Sequence, residues 1–147
     1  MLLWAALAAG CKTAAVGDPC LPEQVPEDGF EDSEAYVESS SVQCETRVCL
    51  VYHLDGDPRE DCPRRQASAC VPSEQNNQCD GQPKAPKCAT PDEVERLVYC
   101  TCRCDTGDTG FAECECPSGF SCAPVIAQGG AGVRGRYCVR NDTLAEP

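Results

Sequence analysis

Fifteen cysteines in 147 residues constrain this chain more than any other feature. They stand at Cys11, Cys20, Cys44, Cys49, Cys62, Cys70, Cys79, Cys88, Cys100, Cys102, Cys104, Cys114, Cys116, Cys122 and Cys138. Cysteine at about 10 % of a short chain marks a scaffold held by cross-links. The other residues explain the need for them. Leu, Ile, Val and Phe together number 24, and 24 acidic side chains against 12 basic ones leave a net charge of -12. So few large apolar residues bury too little surface to offset the entropy of ordering the chain. A large enzyme core is excluded. A nucleic-acid-binding role built on a basic patch is excluded too, because an acidic chain presents phosphates with a repulsive average field.

Residues 1–10 are uncharged, nearly all apolar or small, and end in Ala8-Ala9-Gly10 directly before Cys11. This is a lipobox pattern: a signal peptidase cuts ahead of a diacylglyceryl-modified thiol, so Cys11 is expected to become a lipid-carrying N-terminus. Ala8 stands where Leu is commoner, and no Lys or Arg precedes the apolar stretch. A chance Cys after an ordinary signal peptide is the competing reading. The stretch falls well short of the roughly 20 residues that span a bilayer. Parity agrees with lipidation. With Cys11 set aside, fourteen cysteines remain, an even number compatible with seven disulfides in an oxidising, extracytoplasmic compartment. Spacing alone leaves their connectivity open.

The expected organisation is a signal peptide over 1–10, an acidic, Pro-containing tether over 11–33, one disulfide-stapled domain over 34–140 and a tail over 141–147. Between Lys12 and Cys44 every charged side chain after Lys12 is acidic, which would keep the tether extended and solvated. The run Arg47 to Leu54, rich in Val, Leu and Tyr, reads as a strand stopped by Asp55-Gly56-Asp57-Pro58. From Asp61 to Pro86 the polar sequence reads as loop. Thr90-Pro91-Asp92-Glu93 is a helix start, with Thr90 as N-cap, Pro91 at the first helical position and Glu93 completing a capping box. Val94, Leu97 and Val98 share the face of this short helix, about 91–97.

A period of two then takes over at Tyr99-Cys100-Thr101-Cys102-Arg103-Cys104, which in one strand would point the three cysteines one way and turn Thr101 and Arg103 to water. Turn residues 105–110 suggest a hairpin over about 97–116, with Cys100, Cys102 or Cys104 opposite Cys114 according to register. A second hairpin, about 121–140, centres on Gly130, and Cys122 to Cys138 is its first candidate bridge. The predicted fold class is small, disulfide-rich and irregular, β-leaning with two hairpins and one short helix.

Several constellations resemble reactive sites. Cys100, Cys102, Cys104, Cys114 and Cys116 could form a thiolate metal cluster, but zinc sites usually place two to four residues between paired cysteines and this run places one. Asp105-Thr106-Gly107 and Asp108-Thr109-Gly110 spell the tripeptide of aspartic proteases, whose carboxylates come from separate lobes; here they read as turn chemistry. These oxygens, or Asp55 and Asp57, could bind calcium, though the spacing of a calcium loop is missing. His53, the only histidine, reads as a strand residue near the surface, and its solitude removes most general-base schemes. Arg134, Arg136 and Arg140 make the last hairpin locally basic, either solvated or a dock for the acidic arm. Asn141-Asp142-Thr143 fits a glycosylation sequon, a chance match beside a bacterial lipobox.

The stretches Ser41-Val42-Gln43-Cys44-Glu45-Thr46-Arg47-Val48-Cys49-Leu50-Val51, Tyr99 to Cys104, Cys114-Glu115-Cys116-Pro117-Ser118-Gly119-Phe120 and Arg136-Tyr137-Cys138-Val139 combine cysteine spacing with particular flanking residues. With the lipobox, they make residues 35–140 resemble an uncharacterised family of cysteine-rich bacterial lipoproteins. Cys116 to Cys122 also resembles, over a short span, a growth-factor-like module. The family resemblance implies an exported, anchored protein, and it supplies no catalytic residue. The expected function is a binding or structural cell-envelope lipoprotein without a cofactor, held to the lipid bilayer by acylated Cys11 and meeting an envelope protein or ligand. The alternatives are a thiolate metal-binding protein and a small extracytoplasmic hydrolase.

Overall fold

The computed structural model describes residues 14–69, 85–107 and 110–144. The order is β1 (Ala35–Glu38), β2 (Val48–Tyr52), α1 (Cys62–Ser68), α2 (Pro91–Leu97), β3 (Val98–Thr101), β4 (Arg103–Asp105), β5 (Phe120–Ile126) and β6 (Gly135–Arg140). These strands form two three-stranded antiparallel sheets, in the orders β1-β2-β3 and β4-β6-β5. The protein is a small, β-leaning, disulfide-rich fold, as its composition demands.

Strand β2 shows why so small a core suffices. Its residues Val-Cys-Leu-Val-Tyr do not alternate with polar ones, which is the pattern of a strand covered on both faces. On one face Cys49 and Val51 join Val98, Cys100, Leu97, Leu54, Cys20, Cys44 and Phe30. On the other, Leu50 and Tyr52 join Tyr99, Ala123 and Val139, so the second sheet covers the first. The expectation that Thr101 faces water is therefore corrected. Thr101 is fully buried, and its hydroxyl donates to the Cys138 carbonyl at 2.6 Å.

Helix α2 forms where its sequence signals place it. The Thr90 side chain accepts from the Glu93 N–H, the Glu93 carboxylate accepts from the Thr90 N–H, and Pro91 opens the first turn. Val94 and Leu97 lie against the first core face. Helix α1, in contrast, falls in the stretch expected to be loop. It lacks an apolar stripe, so periodicity could not reveal it. It is held by the Cys62–Cys88 bridge and by Arg65, which contacts Asp57 and Asp61.

The second hairpin forms between β5 and β6, with Cys122 directly opposite Cys138. The first forms only in part. Strands β3 and β4 belong to different sheets, and the return over 111–116 carries no strand; a hydrogen bond from the Cys114 N–H to the Arg103 carbonyl at 2.9 Å ties it down. A register shift between Arg103 and Asp105 interrupts the alternation. Cys100, Cys102 and Cys104 consequently do not share one strand face.

The tether expectation is corrected for residues 14–33. The Gly17 N–H donates to the Cys100 carbonyl and the Cys100 N–H to the Asp18 carbonyl, both at 2.8 Å. Cys20 is bonded to Cys49, and buried Phe30 bridges to Gly56. Charge suggested a solvated arm; Cys20 and Phe30 bring it onto the sheet instead. Here two glycines allow backbones to meet. A Cβ on Gly29 (φ +87°) would sit 2.5 Å from the Gly56 carbonyl carbon, and one on Gly56 (φ +131°) would sit 2.8 Å from the Lys87 oxygen. Gly56→Ala is expected to lower stability by about 2 kcal/mol, combining a disfavoured φ with backbone overlap. Urea unfolding at unchanged m-value measures this, and a variant indistinguishable from native would refute it.

Candidate functional site

All twelve cysteines among the described residues are paired: Cys20–Cys49, Cys44–Cys100, Cys62–Cys88, Cys102–Cys114, Cys104–Cys122 and Cys116–Cys138. Cys11, Cys70 and Cys79 lie outside the described residues. The candidate bridge Cys122–Cys138 is corrected: the two residues face each other, yet each bonds elsewhere. Directly opposed residues on antiparallel strands hold their Cβ atoms about 4.5–5.5 Å apart, whereas a disulfide prefers about 3.8 Å. Cys138 reaches Cys116 on the return loop, and Cys122 reaches Cys104 at the irregular part of β4.

The bridges stack on one another. Cys138 Sγ lies 3.7 Å from both Cys102 Sγ and Cys114 Sγ. Three sulfur triads, Cys20/Cys44/Cys100, Cys102/Cys114/Cys138 and Cys104/Cys116/Cys122, each fit within 4.8 Å. Every sulfur in them is bonded to another sulfur, so in this form none is the thiolate that a metal requires. The five cysteines of the candidate cluster are divided among four different bridges.

Asp55 and Asp57, weighed as calcium ligands, are separated and neutralised by cations. Asp55 pairs with Lys87 at the surface. Asp57 is almost completely buried; its carboxylate accepts from the Arg59 N–H at 2.9 Å, from the Arg59 guanidinium at 2.7 to 3.2 Å and from Arg65. Burial acts to raise the Asp57 pKa, but the hydrogen bonds from Arg59 and Arg65 outweigh it and hold the carboxyl below its ordinary value. The backbone of Asp57 also pairs with the segment around Cys88. This is a structural corner joining α1, the chain after β2 and the entry to α2.

The other singled-out residues are local. Asp105 accepts from the Gly107 N–H at 3.0 Å, an Asx turn, and residues 108 and 109 of the second Asp-Thr-Gly lie outside the described residues. His53 is exposed just past β2 at φ +56°, its Nδ1 2.5 Å from the Asp32 carbonyl oxygen. Arg140 does dock the N-terminal segment, through backbone rather than carboxylate: it donates to the Gly17 carbonyl at 2.9 Å and lies over the Tyr99 and Phe120 rings. Arg136 donates to the Cys122 carbonyl at 2.6 Å. Asn141 accepts from the Ser121 hydroxyl at 2.6 Å.

A groove that no sequence motif announced lies along β1. One hollow of about 300 Å³ is lined by Gln24, Val25, Pro26, Phe30 and Tyr36. A second, of about 270 Å³, is lined by Glu23, Gln24, Tyr36, Val37, Glu38, Ser39 and Ser40. Gln24 and Tyr36 line both, so the two hollows adjoin, the first mainly apolar and the second acidic. The Phe30 and Tyr36 rings stand 5.5 Å apart. Glu38 accepts from the Glu23 N–H at 2.7 Å, which fixes the acidic end to the rim. Burial, with the charges of Glu38 and Glu23, raises the Tyr36 phenol above its ordinary pKa. The signal available in the sequence was Phe30 and Tyr36 set among acids and prolines, concealed once that stretch was taken for a tether.

Comparison with known proteins finds no matching family model, no matching curated protein and no matching solved structure.

Proposed function

We propose that this chain is an exported lipoprotein, anchored to a bacterial cell envelope through acylated Cys11, whose stapled domain serves as a binding or structural element. The observation that carries the reading is the pairing of every described cysteine, which belongs to an oxidising, extracytoplasmic compartment. The lipobox supports the finer part, because it accounts for the odd cysteine as the acylated one. Among the described residues no helix is long and apolar enough to cross a membrane. The groove beside β1 supports a binding role over a purely structural one.

The test is intact mass, before and after reduction, of protein taken from native membranes. The expected result is a mature chain beginning at Cys11 with the added mass of acyl groups, and no alkylatable thiol until reductant is added. Cys11→Ser is expected to leave the membrane fraction; its retention there would count against the anchor. The sulfur triads favour one rival, a thiolate metal-binding protein. Thiol titration separates the two, since the rival predicts many free thiols together with bound metal.

A further inference from the structure

We infer that the groove beside β1 binds an extended basic peptide, laid along the strand edge as a fourth strand with an apolar residue and a Lys or Arg two positions apart. Three observations converge on this occupant. First, β1 is the edge of its sheet: β2 is hydrogen-bonded on one side, and no strand of the described residues is hydrogen-bonded on the other. An unpaired edge offers N–H and C=O groups in the spacing of another extended chain.

Second, the two hollows match alternate positions on that edge. Tyr36 and Glu38 are two residues apart on β1 and therefore share a face. Tyr36 lines both hollows, the first with Val25, Pro26 and Phe30, while Glu38 lines only the second, with Glu23. A strand laid alongside presents its own alternate side chains to the same face, one toward the apolar hollow and the next toward the carboxylates.

Third, the charge selects the partner. Glu23 and Glu38 border one end, the exposed Glu27, Glu31 and Glu34 lie on the adjoining chain, and the whole protein carries -12. A cationic side chain is attracted there both locally and at long range. An acidic segment is repelled, and a wholly apolar one gains nothing from the negative charge of Glu23 and Glu38.

The inference rests on the reading of the domain as a binding element, but its measurement is independent of the anchor. The protein, disulfides intact, is titrated against fluorescently labelled Ser-Gly-Leu-Ser-Lys-Ser-Gly and followed by anisotropy. Saturable binding is expected, weakened about tenfold by 0.5 M salt and by the double variant Glu23→Gln/Glu38→Gln, whose fold is checked by circular dichroism. The amide that replaces the Glu38 carboxylate keeps an oxygen to accept the N–H of residue 23, so the rim survives the substitution. The control peptides Ser-Gly-Leu-Lys-Ser-Ser-Gly, with the wrong spacing, and Ser-Gly-Leu-Ser-Glu-Ser-Gly, with the wrong charge, are expected to bind at least about tenfold more weakly. Equal binding of either control, an unaffected double variant, or no binding of the first peptide overturns the inference. Displacement by Nα-acetyl-lysine amide at the peptide's own affinity would assign the groove to free amines and overturn it as well. A lipoprotein that fails these titrations still partitions with membranes, and a peptide-binding chain that lacks acylation still binds, so the two failures are distinguishable.

Discussion

Replacing Cys44 and Cys100 together by Ala is expected to lower stability by about 4 kcal/mol, taking the chain-entropy cost of a loop of this length. The bridge has the largest sequence separation of those described, 56 residues, and both of its sulfurs are completely buried in the first core face. Its loss frees the unfolded chain and leaves small voids beside Cys20 and Val98 in a core with few apolar neighbours to refill them. Urea unfolding of the oxidised double variant measures the loss. A change below about 1 kcal/mol would show that apolar burial, not cross-linking, holds the first sheet together. Complete reduction of the native protein is expected to go further and abolish the near-ultraviolet circular dichroism of its packed tyrosines. For a chain of this composition the net stability is a difference of only several kcal/mol, which the loss of several bridges exceeds.

The second large effect is expected at Asp57. Asp57→Asn removes the charge that Arg59 and Arg65 share and should cost about 2 kcal/mol, less than for a fully buried pair because both arginines remain about a third exposed to water. The pH dependence has a definite sign. Burial alone would raise the carboxyl pKa, but the hydrogen bonds from both arginines lower it below the unfolded value. Its contribution is therefore fully present above the ordinary carboxylate pKa of about 4 and is lost as the pH falls through the lower, folded value. The native protein should lose stability below about pH 4 more steeply than Asp57→Asn does. Parallel urea titrations at pH 7 and pH 3 check both claims; equal pH dependence of the two proteins would show that Asp57 titrates no differently folded and unfolded.

Local signals in the sequence were reliable where a short stretch carried its own physics. The capping box at Thr90 and Glu93, the strand over Val48–Tyr52 and the hairpin centred on Gly130 depend on nearby residues, and all three form. Helix α1 was hidden because its support, Asp57 and Cys88, comes from elsewhere in the chain. The segment over 14–33 was misread because charge is visible in a sequence while the burial of Phe30 and Cys20 against a distant sheet is not. The groove followed it into concealment, since half of its wall is that segment.

The pairing pattern has an order that spacing did not reveal. Among the described residues every cysteine up to Cys100 bonds within that half, and every one from Cys102 onward bonds within the other. The two covalent units are joined through Tyr99, Leu50, Ala123 and Val139, with Phe120 against the Tyr99 ring and Arg140 across both. The break falls at Cys102, between two strands that alternation alone reads as one.

Composition and local pattern by themselves determined that this chain must be cross-linked, that it is small and β-leaning, and where its capped helix and last hairpin begin, because each follows from residue counts or from neighbours within a few positions. Tertiary structure alone decided which sulfurs meet, that the acidic N-terminal segment lies on the sheet, and that a groove opens beside β1. Those outcomes depend on Cβ separations and burial between residues far apart in the chain, and such distances are not encoded in spacing.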